Sequence, residues 1–311
     1  MIYPPYEFTA DSLGEVVTIT DHMFGFDADR RNALLDKIND KQRIVYSQYI
    51  FDDSVKSNYK NLDLRFSFDA QHKMHFANLE KFKLDYCYRD FKNFVCSFNG
   101  SEHLSRQFLV AALHKFKWFD PKYSTKNFKT FKDRVDGNLS SFFDNQEQER
   151  FYQKFILTDD EKFYDTEYSV KYDRYDHGHS LDVLKDMGMN SFVQIVSEVM
   201  GTSYYPYVSE KFFFPVIYKS LWVSYAHPNW HSHLEKYYGF KKFNKIFDYK
   251  FDIIENPVIR LVELLTMLSK FEKLSKLDWH DLYLIEQETI EFNYDWYNSN
   301  KFLDHLRMFN G

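Results

Sequence analysis

Along this chain the apolar positions change period repeatedly, in a pattern that alternates strand and helix. Val16-Val17-Thr18-Ile19-Thr20 is a short β-branched run, a polar loop follows, and Ala33-Leu34-Leu35-Asp36-Lys37-Ile38 has helical spacing; Arg43 to Ile50 then reads as the next strand. A second such unit opens at Asn93-Phe94-Val95-Cys96-Ser97-Phe98 and breaks at Asn99-Gly100. It enters a helix at Ser105 whose Phe108, Leu109, Ala112 and Leu113 share one face. Further on, Ser191 to Val199 reads as a strand, Lys211 to Ser220 as a short helix and Leu221 to Tyr225 as a strand. Two helices are expected to close the chain. The first is capped by Asn256, with Pro257 at its first position and Leu261, Val262, Leu265 and Leu268 on one face; the second starts at Asp278 and carries Leu282, Ile285 and Phe292. Residues 136–180 are polar, aromatic and poorly patterned, and read as an insertion. The simplest architecture is α/β, with two Rossmann-like halves, 1–92 and 93–311, facing a cleft.

Composition narrows the class. The 311 residues, 44% of them apolar, suffice for a core in each of two domains. No apolar stretch approaches a membrane span, and Asp11, Glu15 and Asp21 interrupt any leader-like start, so a cytoplasmic protein without a membrane partner is expected. Cys87 and Cys96 are too few for a disulfide framework and lack zinc-site spacing. Twenty per cent aromatic residues, with abundant Lys, Asn and Asp, looks like the translation of an A+T-rich genome. A formal charge of -6 gives no global argument for nucleic-acid binding. Locally, however, Lys115, Lys117, Lys122, Lys126, Lys129, Lys132 and Arg134 are interleaved with Phe116, Trp118, Phe119, Tyr123, Phe128 and Phe131, a composition that could track a nucleic-acid backbone and stack bases, although a solvated helix and loop with core-facing aromatics is the plainer reading.

Three blocks carry candidate chemistry. Phe94 to Arg106 is a strand, a loop and a helix start with a guanidinium on the first turn, a geometry that suits a diphosphate. Glu198 ends the next strand of interest, and Ser209-Glu210-Lys211 sets a carboxylate, an acceptor for ribose hydroxyls, beside an ammonium, a compact phosphate partner. Gly239-Phe240-Lys241-Lys242-Phe243 closes the run.

In this order the blocks resemble the donor-binding region of the α1,3-fucosyltransferase-like glycosyltransferases of GT-B type, a family with members encoded by tailed phages. The resemblance spans about residues 93–265. It implies a donor site of Asn99, His103, Arg106, Glu198, Ser209, Glu210 and Lys211, in which Arg106 and Lys211 balance the diphosphate and Glu198 and Glu210 hold the nucleoside. It also implies a nucleoside-diphosphate sugar as co-substrate, no obligatory metal, and residence in the host cytoplasm for a phage-encoded member. Two departures stand out. Phe247 to Asp252 keeps the aspartates of the family's acidic stretch but loses its glutamate, and Ala226-His227-Pro228-Asn229-Trp230-His231 has histidines and a tryptophan where relatives have small residues.

Other constellations have plainer readings. Asp27-Ala28-Asp29 is a formal Asp-x-Asp that a helix cap explains. His227, His231 and His233, with His177 and His179 in reserve, have metal-like spacing but no evident carboxylate or cysteine partner. The acceptor's general base is expected on loops after the first strands: Asp21 first, then His22, with Asp52 and Asp53 as alternatives. A hydroxymethylated base in phage DNA is the specific acceptor expected, with Lys115, Lys117, Lys126, Lys129 and Lys132 as its candidate contacts. A carbohydrate or lipopolysaccharide acceptor, and a non-catalytic binding protein on a transferase fold, remain as alternatives.

Overall fold

A computed structural model describes residues 14–19, 28–47, 53–66, 89–100, 104–126, 184–198 and 208–307. They form a mixed α/β arrangement with small parallel sheets. In the first sheet, β1 (Val16–Ile19), β2 (Arg43–Ser47) and β3 (Leu62–Phe66) lie side by side in that order, all parallel. The intervening α1 (Ala28–Ile38) and α2 (Asp53–Asn58) supply the crossovers that parallel pairing demands. Residues along β2 alternate buried and half-buried, so one of its faces is only partly covered.

The second sheet has the order β4 (Asn93–Cys96), β7 (Ser191–Ser197), β8 (Leu221–Tyr225), again all parallel. Every residue of β7 and β8 is buried. Covered on both faces, they read as near-continuous apolar runs without alternation. A two-residue strand, β5 (Phe98–Asn99), prolongs β4 and pairs in parallel with β6 (Thr125–Lys126). Between them runs α3 (Leu104–Lys115), buried from Ser105 to Leu113; Ala111 and Ala112 give a helix enclosed on all sides room to pack. The expected single apolar face is therefore too narrow.

After β7, α4 (Glu210–Ile217) precedes β8, then a short α5 (Trp230–His233), a π-helical turn (Leu234–Tyr238) and a 3-10 turn (Tyr249–Ile253). The aromatic richness of the sequence goes into this core. Phe212 meets Trp222 edge to face at 4.8 Å between centroids and Phe240 at 5.0 Å, while Phe94, Phe192 and Trp279 form a mutually stacked triad. Each such pair adds about 0.5–1.5 kcal/mol beyond area burial. Gly239 must be glycine: its φ is +73°, and a Cβ there would lie 2.9 Å from the Trp296 ring.

Four helices, not the expected two, close the described chain: α6 (Pro257–Glu272), α7 (Lys276–Ile285), α8 (Gln287–Asn298) and α9 (Asn300–Arg307). Asn256 caps α6 as its sequence predicts, accepting from Val258 and Ile259 N–H. The expected start at Asp278 is corrected by a capping box, in which Ser275 and Asp278 exchange hydrogen bonds and begin α7 earlier. The expected run to Phe292 is broken at Glu286. Its buried carboxylate accepts from Lys245 N–H at 2.6 Å and from the Thr289 hydroxyl at 2.9 Å, a tertiary demand that local periodicity does not register. These helices fasten to the α4–β8 region. Tyr283 donates to Lys219 O at 2.8 Å, Lys219 Nζ reaches Glu291 at 2.7 Å, and Asn293 both accepts from and donates to the Lys241 backbone. Among the described residues, no helix is long and apolar enough to cross a membrane.

Candidate functional site

Parallel sheets gather their loops at the carboxyl ends of the strands, and here one point on that edge is singled out by topology. The Ser97 hydroxyl donates to Ile195 O at 2.9 Å, so β7 still flanks the chain where β4 gives way to β5. Thr125 N–H meanwhile donates to Ser97 O, which puts β6 on the opposite edge. The strand line is thus β6, β5 with β4, β7, β8, and the chain turns to one side for β6 and to the other for β7. Such a reversal opens a crevice beyond the carboxyl ends, where α/β folds receive ligands.

A hydrogen-bonded rung crosses the sheet just below that point. Asn99 Nδ2 donates to Thr125 O (3.2 Å) and to the Ser97 hydroxyl (3.1 Å), Asn99 N–H donates to Thr125 Oγ1 (2.9 Å), and Ser97 N–H donates to Ser124 Oγ (3.1 Å). Because Thr125 O can only accept, the amide of Asn99 has a fixed orientation. Its Oδ1 is then a buried acceptor without a protein partner, and the hydroxyls of Ser105, on the first turn of α3, and Ser197, at the end of β7, are likewise buried and unpartnered. An orphaned buried polar atom costs about 1–3 kcal/mol. Three of them gather at one sheet edge, where a bound polar molecule would satisfy them.

Charges are buried at the same edge. Arg106 is 2% exposed and its Nε reaches Ser197 O at 3.5 Å, spanning from α3 across the switch point to β7. Glu198, 1% exposed, accepts from Ser209 N–H at 3.0 Å and so ties the end of β7 to the start of α4. Lys126, 3% exposed, pairs with Asn99 in the β5–β6 ladder.

Of the residues singled out from sequence, Asn99, Arg106, Glu198, Ser209 and Lys211 converge here. Ser209 acts structurally as the N-cap of α4, its hydroxyl accepting from Lys211 N–H at 3.3 Å. Glu210 is the first residue of α4, and Lys211 is half-buried on the same turn. His103, Asp21, His22, Asp52, Lys129 and Lys132 lie outside the described residues, as do His177 and His179. Asp53 begins α2 and Asp29 stands in the first turn of α1, the position its cap reading requires.

The basic segment is not one surface. Lys115 and Lys117 are exposed at the far end of α3, Lys115 lying about 13 Å along the helix from Arg106 at 1.5 Å per residue. Lys126 is buried in β6, so its reading as a nucleic-acid contact is corrected: an ammonium inside the sheet edge does not meet a phosphate backbone. Trp118 and Tyr123 are core residues, not stacking platforms.

The histidine group also resolves. His231 Nδ1 lies 2.7 Å from Asp252 Oδ1, its backbone N–H donates to Asp252 Oδ2 at 3.1 Å, and its Nε2 accepts from Ser224 N–H at 3.0 Å. Since Ser224 N–H can only donate, the imidazole carries its proton on Nδ1. With both nitrogens engaged and no exposure, His231 braces β8 against the 3-10 turn and has no lone pair for a substrate or metal. Asp252, whose carboxyl is held below the usual range by His231 against the opposing effect of burial, is the partner that spacing did not reveal. Among the described residues no group of three His, Cys, Asp or Glu side chains is placed to hold a metal ion. The Gly239-Phe240 element belongs to the core, Phe240 packing on Phe212 and Phe302.

Sequence reasoning missed Ser105, Ser197 and Thr125, which no motif distinguishes from surface polar residues, and Asp252. No protein-family model matches the chain, and comparison with curated proteins and with solved structures found no similar one.

Proposed function

We propose that the protein is a glycosyltransferase that moves a sugar from a nucleoside-diphosphate donor to an acceptor hydroxyl, with the donor bound at the carboxyl edge of the second sheet. The observation that carries the reading is the convergence of Arg106, Glu198 and the unpartnered Asn99, Ser105 and Ser197 groups on one topological switch point. A nucleotide sugar would bring hydroxyls that donate to Asn99 Oδ1 and bond the two serines, and a diphosphate whose charge complements the Arg106 and Lys211 cations. Departure of the nucleoside diphosphate concentrates negative charge on the β-phosphate, and cations fixed beforehand lower the barrier by stabilising that charge. The acceptor's proton is assigned to a carboxylate or imidazole after the first strand, Asp21 or His22.

Lys211→Ala tests the reading without touching the core, since Lys211 is half-buried on the first turn of α4. Turnover of the preferred nucleotide sugar and donor affinity should fall together, by roughly tenfold or more for loss of one phosphate-directed cation. Unchanged kinetics would remove Lys211 from the site. For the acceptor, a hydroxyl on modified duplex DNA keeps the exposed Lys115, Lys117 and Lys122 of the described part of the 114–134 segment, and a carbohydrate acceptor does not draw on them at all.

A further inference from the structure

His227 directly follows Ala226 at the end of β8 and is 3% exposed. Its Nδ1 lies 2.7 Å from the carbonyl of Pro228, which can only accept, so the proton sits on Nδ1 and Nε2 presents a lone pair. That Nε2 is buried and receives no hydrogen bond. The groups around the ring do not supply one. The His233 ring lies 5.4 Å away, Asp252 is committed to His231, and Arg260 donates to the carbonyls of Ala226, Ile254 and Glu255. Burial holds the imidazole neutral by pushing its pKa down to about 3, so Nε2 stays an acceptor throughout the physiological range.

Four residues along the chain, His231 has a partner for each of its nitrogens. The fold can satisfy an imidazole in this loop, and leaves His227 with one nitrogen open. Its place is informative: Glu198 N–H donates to Tyr225 O at 3.2 Å, so the strand end that leads into His227 lies beside the one that carries Glu198.

We infer that His227 is a recognition residue for the nucleoside, its Nε2 accepting a hydrogen bond from an N–H of the base or a ribose hydroxyl. The inference rests on the nucleotide-sugar reading and adds to it a residue that selects among nucleosides by requiring a donor. A buried acceptor discriminates strongly, because a nucleoside without a donor at that place leaves the nitrogen unpaired.

The test uses histidine-selective 15N labelling and calorimetry with UDP, GDP, ADP and CDP, on the parent protein and on His227→Phe and His227→Gln. For the diphosphate that the parent binds, the His227 Nε2 resonance, assigned by its loss in His227→Phe, should shift on binding. Affinity should fall roughly tenfold in His227→Phe, the loss of one buried hydrogen bond, and recover in part in His227→Gln, whose side-chain oxygen accepts. His227→Phe removes the orphaned nitrogen and with it the Nδ1 donor to Pro228 O, so its melting temperature is measured beside the parent's to separate loss of binding from loss of fold. Equal affinity in His227→Phe with an unmoved resonance would overturn the role of His227 and leave the donor site standing. If the parent binds none of the four, the nucleotide reading falls and the inference falls with it.

Discussion

Replacing Asp252 with Asn isolates the brace between β8 and the 3-10 turn. Asp252 accepts two N–H groups, from the ring and from the backbone of His231. The asparagine amide has one oxygen and one NH2, so one of those donors must face another donor. Moving the imidazole proton does not relieve the conflict. With the proton on Nε2, the ring would accept from the new amide but would oppose Ser224 N–H, 3.0 Å away. Either way a charge-assisted bond is lost and a buried donor is left without an acceptor, together costing about 3 kcal/mol. At roughly 2–4 °C per kcal/mol for a unit of this size, the melting temperature should fall by about 6–12 °C. Trp222 and Trp230, packed on His231, give the fluorescence signal for a urea titration. Turnover per folded molecule should hold, because neither nitrogen of His231 faces substrate. A variant that unfolds at the parent's urea concentration but has lost turnover would refute this account and make the pair catalytic.

Three further outcomes follow from other parts of the fold. Gly239→Ala should lower stability by about 2–3 kcal/mol, since it forces a left-handed alanine and displaces the Trp296 ring that donates to Tyr238 O; Gly14→Ala, with nothing within 4 Å, should melt as the parent does. His227 has a folded pKa depressed to about 3 from 6.5, so the unfolded chain binds the extra proton first and the stability it contributes, full above pH 6.5, declines as pH falls toward 3. At pH 5 that loss is about 2 kcal/mol; Asp252, also depressed, is still ionised there and adds no loss of its own. Urea titrations at pH 7.5 and pH 5 should therefore show a smaller difference for His227→Phe than for the parent, and equal differences would contradict the buried neutral ring. If duplex DNA is the acceptor, affinity measured from low to moderate salt should fall steeply, and removing Lys115 and Lys117 together should flatten the log–log slope by about two; no binding at low salt would exclude DNA.

Much of the alternation was legible. β1, β7 and β8 are apolar runs bounded by polar loops, and α6 carries its own Asn256-Pro257 start signal. What escaped depends on contacts far apart in sequence. Glu286 breaks a periodic helical pattern because Lys245 draws its carboxylate inward, and Lys126 looks like part of a basic stripe until its strand pairs with Asn99. His231 and Asp252, separated by the whole Gly-Phe element, have no shared motif. Even Pro215, which removes an N–H inside α4, did not disguise that helix, since its apolar face of Phe212, Phe213 and Val216 is strong enough to be read through it. In the candidate site the charged residues and Asn99 were already marked by the resemblance, whereas Ser105 and Ser197 gained meaning only from burial without partners.

The most direct test is a crystal structure of the protein with the nucleoside diphosphate it binds most tightly. Density is expected beyond the carboxyl ends of β5 and β7, with the ligand bonding Asn99 Oδ1 and the Ser105 and Ser197 hydroxyls. Ordered nucleotide at any other place, with those three groups untouched, would contradict it.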